Sequence, residues 1–419
     1  MRGRLKGFAG PLVLIVVAGL AIRVAYILLL GERVGGIGDY FFYDTSANLL
    51  AEGKGFIDPF SLATGPARPT AEHPPLWSMV LSVTSWLGGT GFTSHKLTGA
   101  VVGAAAIVPI ALLGRRVAGE RAGLIAAVLA AVYPTFIASD GSLMSESLYG
   151  LLVACALVAA YRLYDRADLV SAAALGVFLG LSALTRAEGI LLLGLLVVPL
   201  CWRLPTDVRA RVVRFGVVVA AAVVVIAPWT ARNWIQFDRP VLISINDAAV
   251  LAGANCDQTY HGRDIGLWRV DCASRKKGAT QPEQADLWRE KGLDYAGEHP
   301  GRLPAVVAVR VLRVWDFWAP YDQTLAEGRQ RDVQVAGTAM YFLLLALAVY
   351  GVVLLRRRDQ PLLILAAPVV VVTLSAMVGY GLPRFRQAAE VVIVVLAAAA
   401  LAELATRARE RRRPRKIGA

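Results

Sequence analysis

Asp39 stands a few residues after the first apolar run, in Gly38-Asp39-Tyr40-Phe41-Phe42-Tyr43-Asp44. A carboxylate half removed from water holds its proton more tightly and suits general-base work. The same residue fits as the N-cap of an amphipathic helix over about 40–52, stopped by Gly53. Glu146 opens a later apolar run, at the end of Ser139-Asp140-Gly141-Ser142-Leu143-Met144-Ser145-Glu146. Carboxylates at or just below a membrane surface are costly and tend to be functional. Asp140 reads better as a helix cap. In Glu72-His73-Pro74-Pro75-Leu76-Trp77, the prolines set an extended lead into a helix and aim Glu72 and His73 at fixed points. An adjacent Glu-His pair can ligate a metal, and His73 can equally contact a phosphate. A plain turn before a helix start explains the same residues.

Four arginines complete the set. Arg186 lies in Leu184-Thr185-Arg186-Ala187-Glu188-Gly189, Arg232 in Pro228-Trp229-Thr230-Ala231-Arg232-Asn233, and Arg384 and Arg386 in Gly381-Leu382-Pro383-Arg384-Phe385-Arg386. Arginine donors match phosphate oxygens. Snorkelling to a membrane interface is the alternative for each. Several of them beside two carboxylates favour an anion site.

These groups must be positioned by membrane spans. Of the 419 residues, 56% are hydrophobic and 18% charged, the mean hydropathy is +0.55, and apolar runs near 20 residues recur along the chain. Such a run matches the roughly 30 Å hydrocarbon core that about 20 helical residues cross. The fold class is therefore an all-α polytopic membrane protein. About ten transmembrane helices are expected, over 10–30, 96–114, 121–138, 146–163, 169–185, 187–202, 212–229, 336–355, 361–379 and 387–405. The first run follows Arg2, Arg4 and Lys6 without a small-residue cleavage site, so it reads as an uncleaved span rather than a signal peptide.

Alternate connections carry arginine: the N-terminus, 115–121, 162–168, 203–214, 356–358 and the tail from Arg407. The positive-inside rule puts these in the cytoplasm, together with both termini. Segments 74–89 and 303–318 are apolar, but counting either as a span would export the basic clusters. They read as helices lying in the outer interface, with Trp77, Trp86, Trp315 and Trp318 at headgroup depth. In the second, Arg310 and Arg313 share a helix face with Arg302. Four parts follow: an N-terminal transmembrane catalytic module over 1–229, whose first outer loop is 31–95; a small mixed extracytoplasmic cap over 230–335; C-terminal helices over 336–405; and a basic cytoplasmic tail over 406–419. Long loops in a compact protein are usually functional, which puts the chemistry on the outer side.

The formal charge of +13 arises from basic clusters between apolar runs, without aromatic interleaving. That pattern orients spans and argues against nucleic acid as a partner. Cys155 and Cys201 fall in apolar runs as small packing residues. Cys256 and Cys272 share one outer segment, where an oxidising compartment favours a bridge over two free thiols. Such a bridge would contribute around 3 kcal/mol through chain entropy.

With these residues placed, the sequence resembles the C-type integral-membrane glycosyltransferases that use polyprenyl-phosphate sugars. It is most similar to the bacterial relatives of protein O-mannosyltransferases and of the lipid A aminoarabinose transferases. The resemblance rests on Gly38-Asp39 with Tyr43, Ala47 and Gly53-Lys54-Gly55-Phe56, and on the motifs around Glu72-His73, Leu143–Glu146, Leu184–Gly189 and Pro228–Asn233. It covers the first 235 residues or so well and the rest loosely. It implies that Asp39 is the catalytic base and Glu146 a second acidic residue near the active site. Glu72 and His73 would lie at the donor phosphate, with Arg186, Arg232, Arg384 and Arg386 as its cations. Some relatives have Lys where His73 stands, and many carry Glu where Tyr40 stands.

The implied reaction is an inverting transfer of a hexose or pentose from a polyprenyl-phosphate donor to a lipid, glycan or protein hydroxyl. It would take place on the outer face of a bacterial plasma (inner) membrane. No organic cofactor is implied, though Glu72 and His73 leave room for a divalent metal. A polytopic transporter or lipid flippase is the rival reading, but no internal repeat accompanies the charges, which sit at the outer rim. A non-catalytic membrane scaffold leaves Asp39 and Glu146 unexplained.

Overall fold

The computed structural model describes residues 2–30, 38–62, 66–320 and 330–411, with side chains described from residue 7. The stretches 31–37 and 321–329 of the two long outer segments, and 412–419 of the basic tail, lie outside the described residues. Helices dominate: α1 Arg2–Ala25, continued by a π-helical turn Tyr26–Leu30; α2 Asp39–Ala51; α3 Leu76–Trp86; α4 Phe92–Ala118; α5 Glu120–Val132; α6 Pro134–Asp140; α7 Glu146–Arg166; α8 Leu169–Thr185; α9 Val198–Trp202, which ends an irregular apolar stretch Ala187–Trp202; α10 Val208–Phe237; α11 Asn246–Ala254; α12 Asp257–Tyr260; α13 Gln281–Glu298; α14 Leu303–Val314; α15 Arg331–Arg356; α16 Leu363–Val378; and α17 Gln387–Arg411.

Among the described residues, six helices are long and apolar enough to cross a membrane: α1 with its π turn, α4, α7, α10, α15 and α17. The pair α5–α6 makes a seventh if counted as one span, and 169–185, 187–202 and 363–378 are shorter apolar helices. The expected straight span over 121–138 is instead bent by 55° between α5 and α6. Pro134 is the cause: it biases Tyr133 to an extended conformation, and α6 then restarts with proline in its first turn. Helices α4, α7 and α17 form the buried centre, while α1 and α10 expose apolar faces such as Leu14, Val17, Val223 and Val224, as lipid-facing helices do.

Connections between the long helices are fixed by ion pairs. Arg116 grips Asp165 with two bonds of 2.6 and 2.5 Å, and Arg358 donates to Glu403 at 2.7 Å. Asp168 and Asp207 cap α8 and α10 by accepting from the backbone N–H of Ser171 and Ala210.

Several sequence expectations are corrected inside the bundle. Arg23 is fully buried and donates to Asp140 at 2.6 Å and to the carbonyls of Gly19, Ala130 and Ala131. Asp140 is accordingly an ion-pair partner rather than a helix cap. The pair fits only because position 103 is glycine, since a Cβ there would stand 1.9 Å from the Asp140 carboxylate. Gly103→Ala is therefore expected to separate two buried charges and to cost about 3–5 kcal/mol. A thermal melt in detergent checks this, and a midpoint equal to wild type would refute it. Trp77 is fully buried in the protein and donates to the Leu143 carbonyl, whereas Trp86 is exposed.

The cap is not mixed. Its described part is built from α11–α14 and short turns, and no strand occurs among the described residues; Ile57 and Pro69 form only an isolated bridge. A capping box of Thr280 and Glu283 starts α13. Cys256 and Cys272 are disulfide-bonded across a separation of 16 residues. Arg310 and Arg313 are buried in the protein. They donate to the carbonyls of Ala254, Met377, Ile265 and Arg263, which binds α14 to the cap turns and to α16.

Candidate active site

Asp39 is the first residue of α2, and Gly38 in front of it contributes no side-chain cap. The capping reading therefore falls, and the carboxylate is free for other contacts. The far end of α2 closes as anticipated. Gly53 takes φ +74°, its N–H reaches the Leu50 carbonyl, and the Lys54 N–H reaches that of Leu49, which is a Schellman stop. Helix α2 packs on α3, and a buried chain holds it to α4: His95 Nδ1 meets Asp44 at 2.7 Å and His95 Nε2 meets Ser85 at 2.8 Å. This frame fixes where Asp39 points.

It points into a cavity of about 1890 Å³ bounded by α2, the Glu72–Pro74 turn, the start of α7, the Thr185–Glu188 turn, the cap, α16 and the loop before α17. That is larger than the few hundred to 1,000 Å³ of ordinary ligand pockets and leaves room for two substrates side by side. Arg384 Nη2 stands 3.3 Å from Asp39 Oδ2, and His73 Nε2 stands 3.6 Å from Oδ1. The His73 ring is held by Phe42 and Tyr43, at centroid distances of 4.6 and 5.3 Å. Behind them Glu146, fully buried as the first residue of α7, accepts from Arg186 Nη1 at 2.8 Å and lies 3.6 Å from Arg384 Nε. Arg186 also donates to Glu188 at 2.5 Å. Both guanidinium carbons, of Arg186 and of Arg384, stand 4.8 Å from the centre of the Phe385 ring.

The electrostatics correct one expectation. Burial raises the proton affinity of Asp39, but the charges of His73, Arg384 and Arg186, together with the Arg384 hydrogen bond, outweigh it. The carboxyl is held below the usual aspartate range and is ionised at neutral pH. For Arg186, burial disfavours the charge, and Glu188 and Glu146 more than restore it, so the cation is held more firmly than an ordinary arginine.

Asp39, Glu72, His73, Glu146, Arg186 and Arg384 all line this cavity. Arg232 and Arg386 do not. Arg232 donates to the Thr70 and Phe56 carbonyls and lies over the Trp229 ring, clasping the segment between α2 and α3 onto α10. Arg386 is fully buried, donating to Asp316 at 2.8 Å and Glu390 at 2.5 Å, with its guanidinium 3.6 Å from the Tyr341 ring centre. Glu72 is engaged by Arg275 of the cap, which also reaches Asp58 at 3.2 Å. Arg275 and Asp58 escaped the sequence reading, because nothing in Ser274-Arg275-Lys276-Lys277 links it to residues some 200 positions earlier. Among the described residues no three His, Cys, Asp or Glu side chains gather as a metal site.

Residues 72–231, which hold most of these motifs, match the family of dolichyl-phosphate-mannose-protein mannosyltransferases. No curated protein matches the chain in a sequence search. Among solved structures, the oligosaccharyltransferase AglB of Archaeoglobus fulgidus, in complex with an inhibitory peptide and a dolichol-phosphate, is similar over 99% of this chain and 53% of its own. The TM-score is 0.59 and the identity 17%. The apo form of that enzyme gives 0.59 at 17% identity, covering 96% of this chain and 52% of its own. ArnT from Cupriavidus metallidurans, bound to undecaprenyl phosphate, gives 0.46 at 17% identity over 96% of this chain and 79% of its own. The chain thus spans about half the length of AglB and shares its fold. The family match covers residues 72–231, and the likeness to AglB is one of fold.

Proposed function

We propose that the chain is an inverting glycosyltransferase that moves a sugar from a polyprenyl-phosphate donor to an acceptor hydroxyl, with Asp39 as general base. The observation that carries this reading is the juxtaposition in one large cavity of an ionised carboxylate, Asp39, with two arginines, Arg384 and Arg186. A carboxylate and a cation pair side by side are what displacement of a phosphate by a hydroxyl requires. The acceptor oxygen attacks the anomeric carbon and its proton passes to Asp39. The bond from that carbon to the phosphate oxygen breaks on the opposite face, and polyprenyl phosphate departs as an anion. Cation contacts to that oxygen strengthen as charge develops, so they lower the barrier rather than merely bind the donor. Glu146 acts in this scheme as the buried counter-charge that keeps Arg186 and Arg384 aimed at the phosphate.

The topology that suits this chemistry is the ten-span arrangement with both termini in the cytoplasm of a bacterial cell, the site at the outer surface and the cap over 230–335 above it. Single cysteines placed at positions 257 and 290 in a background lacking Cys155 and Cys201 should react with an impermeant maleimide applied from outside, while one at position 409 should not. The reverse pattern would invert the topology and sink the mechanism with it. The acceptor is a lipid, a glycan or a protein that reaches the cavity from the cap side. The donor is tested by mass spectrometry of lipids co-purifying with wild type and with Asp39→Asn. A polyprenyl-phosphate sugar enriched on the variant supports the proposal; bulk phospholipid alone on both would defeat it.

A further inference from the structure

We infer that Phe385 is a positioning residue that sets the spacing of Arg186 and Arg384 and so shapes a two-cation seat for a phosphate monoester. This rests on the glycosyltransferase reading above. The two guanidinium groups come from distant parts of the chain, the Thr185–Glu188 turn and the turn before α17, and like charges so placed repel. Both nonetheless stand at 4.8 Å from one aromatic ring, and both have Glu146 within ion-pair range, at 2.8 and 3.6 Å. The ring face is negative and attracts each cation. The shared carboxylate and the shared ring together favour an arrangement in which both cations face one centre. A phosphate carrying close to two negative charges is the ligand such a pair fits.

The ring itself is held on several sides. Tyr380 packs against it edge-on at 4.8 Å, and Tyr380 in turn faces Trp268 of the cap at 6.3 Å. The Gly381 N–H donates to the Gly266 carbonyl at 3.0 Å, which ties the Phe385 loop to the disulfide-closed turn of the cap. Phe385 is therefore the place where cap position and cation spacing meet. A side chain of equal bulk without a π face would fill the same volume and leave the arginines to spread, so packing alone does not replace it.

The test uses the full-length protein in detergent with undecaprenyl phosphate as probe, comparing wild type, Phe385→Leu, Phe385→Met and Phe385→Tyr. Phe385→Leu and Phe385→Met should each weaken probe binding about tenfold and lower kcat by a similar factor. The KM for the acceptor should stay unchanged, and Phe385→Tyr, which keeps the ring, should stay within about threefold of wild type. A merely structural role would lower melting temperature and acceptor affinity together and would not distinguish Tyr from Met. If wild type binds the probe and a folded Leu or Met variant binds it equally well, this inference is overturned while the transferase reading stands. If wild type itself does not bind it, both fall. Two aliphatic replacements are included so that misfolding of one leaves the comparison intact.

Discussion

Replacing Asp39 by asparagine is expected to reduce transfer by about three orders of magnitude while leaving the protein folded and the donor bound. The size follows from losing general-base assistance, worth roughly 10²- to 10⁴-fold. Asparagine has nearly the same shape, and position 39 contributes no cap to α2, so the helix does not depend on the carboxylate. What disappears is the proton acceptor and the negative charge beside Arg384 and His73. Arg384 and His73 then face the donor phosphate without a competitor. Donor affinity should hold or rise, and the lipid-linked sugar should accumulate on the variant.

This split between kcat and donor affinity separates the base from its alternative. If Asp39 served only to orient Arg384, the asparagine variant would lose donor affinity first and keep most of its turnover at saturating donor. Single-turnover assays with preloaded donor read the two cases apart. Turnover within a few-fold of wild type would remove Asp39 from the chemistry, whatever the fate of the fold.

Much of this arrangement was legible from residue types. Apolar runs locate the helices, because an apolar stretch near 20 residues has little other use. Asp39, Glu146, His73 and Arg186 were marked by polar chemistry at the ends of such runs, and the cavity brings them together. Direction within a short turn was not legible. Arg384 and Arg386 are two residues apart in one 3₁₀ turn, so their side chains diverge, one into the cavity and the other onto Glu390 and Asp316. Arg23 and Asp140 lie 117 positions apart, and only the fold shows that each satisfies the other. Arg232 looked like a phosphate ligand because its neighbours repeat a family motif, yet its donors are spent on backbone carbonyls of the segment between α2 and α3. The mixed character expected of the cap failed for a related reason: its described part folds as helices and short turns tied together by arginine-to-carbonyl bonds between positions far apart in the chain.

Removing Arg384 should tell how the same cation serves both halves of the reaction. Arg384→Gln is expected to lower kcat/KM for the donor by about 10²- to 10³-fold at pH 7, comparable to loss of one preorganised donor to a developing oxyanion. Measured on the plateau above the acid limb, where Asp39 is ionised, the loss reports the phosphate contact. The acid limb reports the other half. In wild type the Asp39 carboxyl is held below its ordinary value near 3.8, with burial pulling up and His73, Arg384 and Arg186 pulling down harder. The rate, which needs the ionised form, should therefore persist as pH falls to the bottom of the protein's working range. Without Arg384 one of the downward pulls is gone, the proton binds at higher pH, and the acid limb must move up. A bound phosphate does the same from within the cycle: it draws on Arg384 and adds negative charge beside Asp39, making the carboxylate a better proton acceptor once the donor is in place. If the limb stayed fixed while kcat/KM fell, Arg384 would be a phosphate ligand only. If the limb moved while kcat/KM at pH 7 held, it would be a partner of Asp39 only, and the leaving-group role would pass to Arg186.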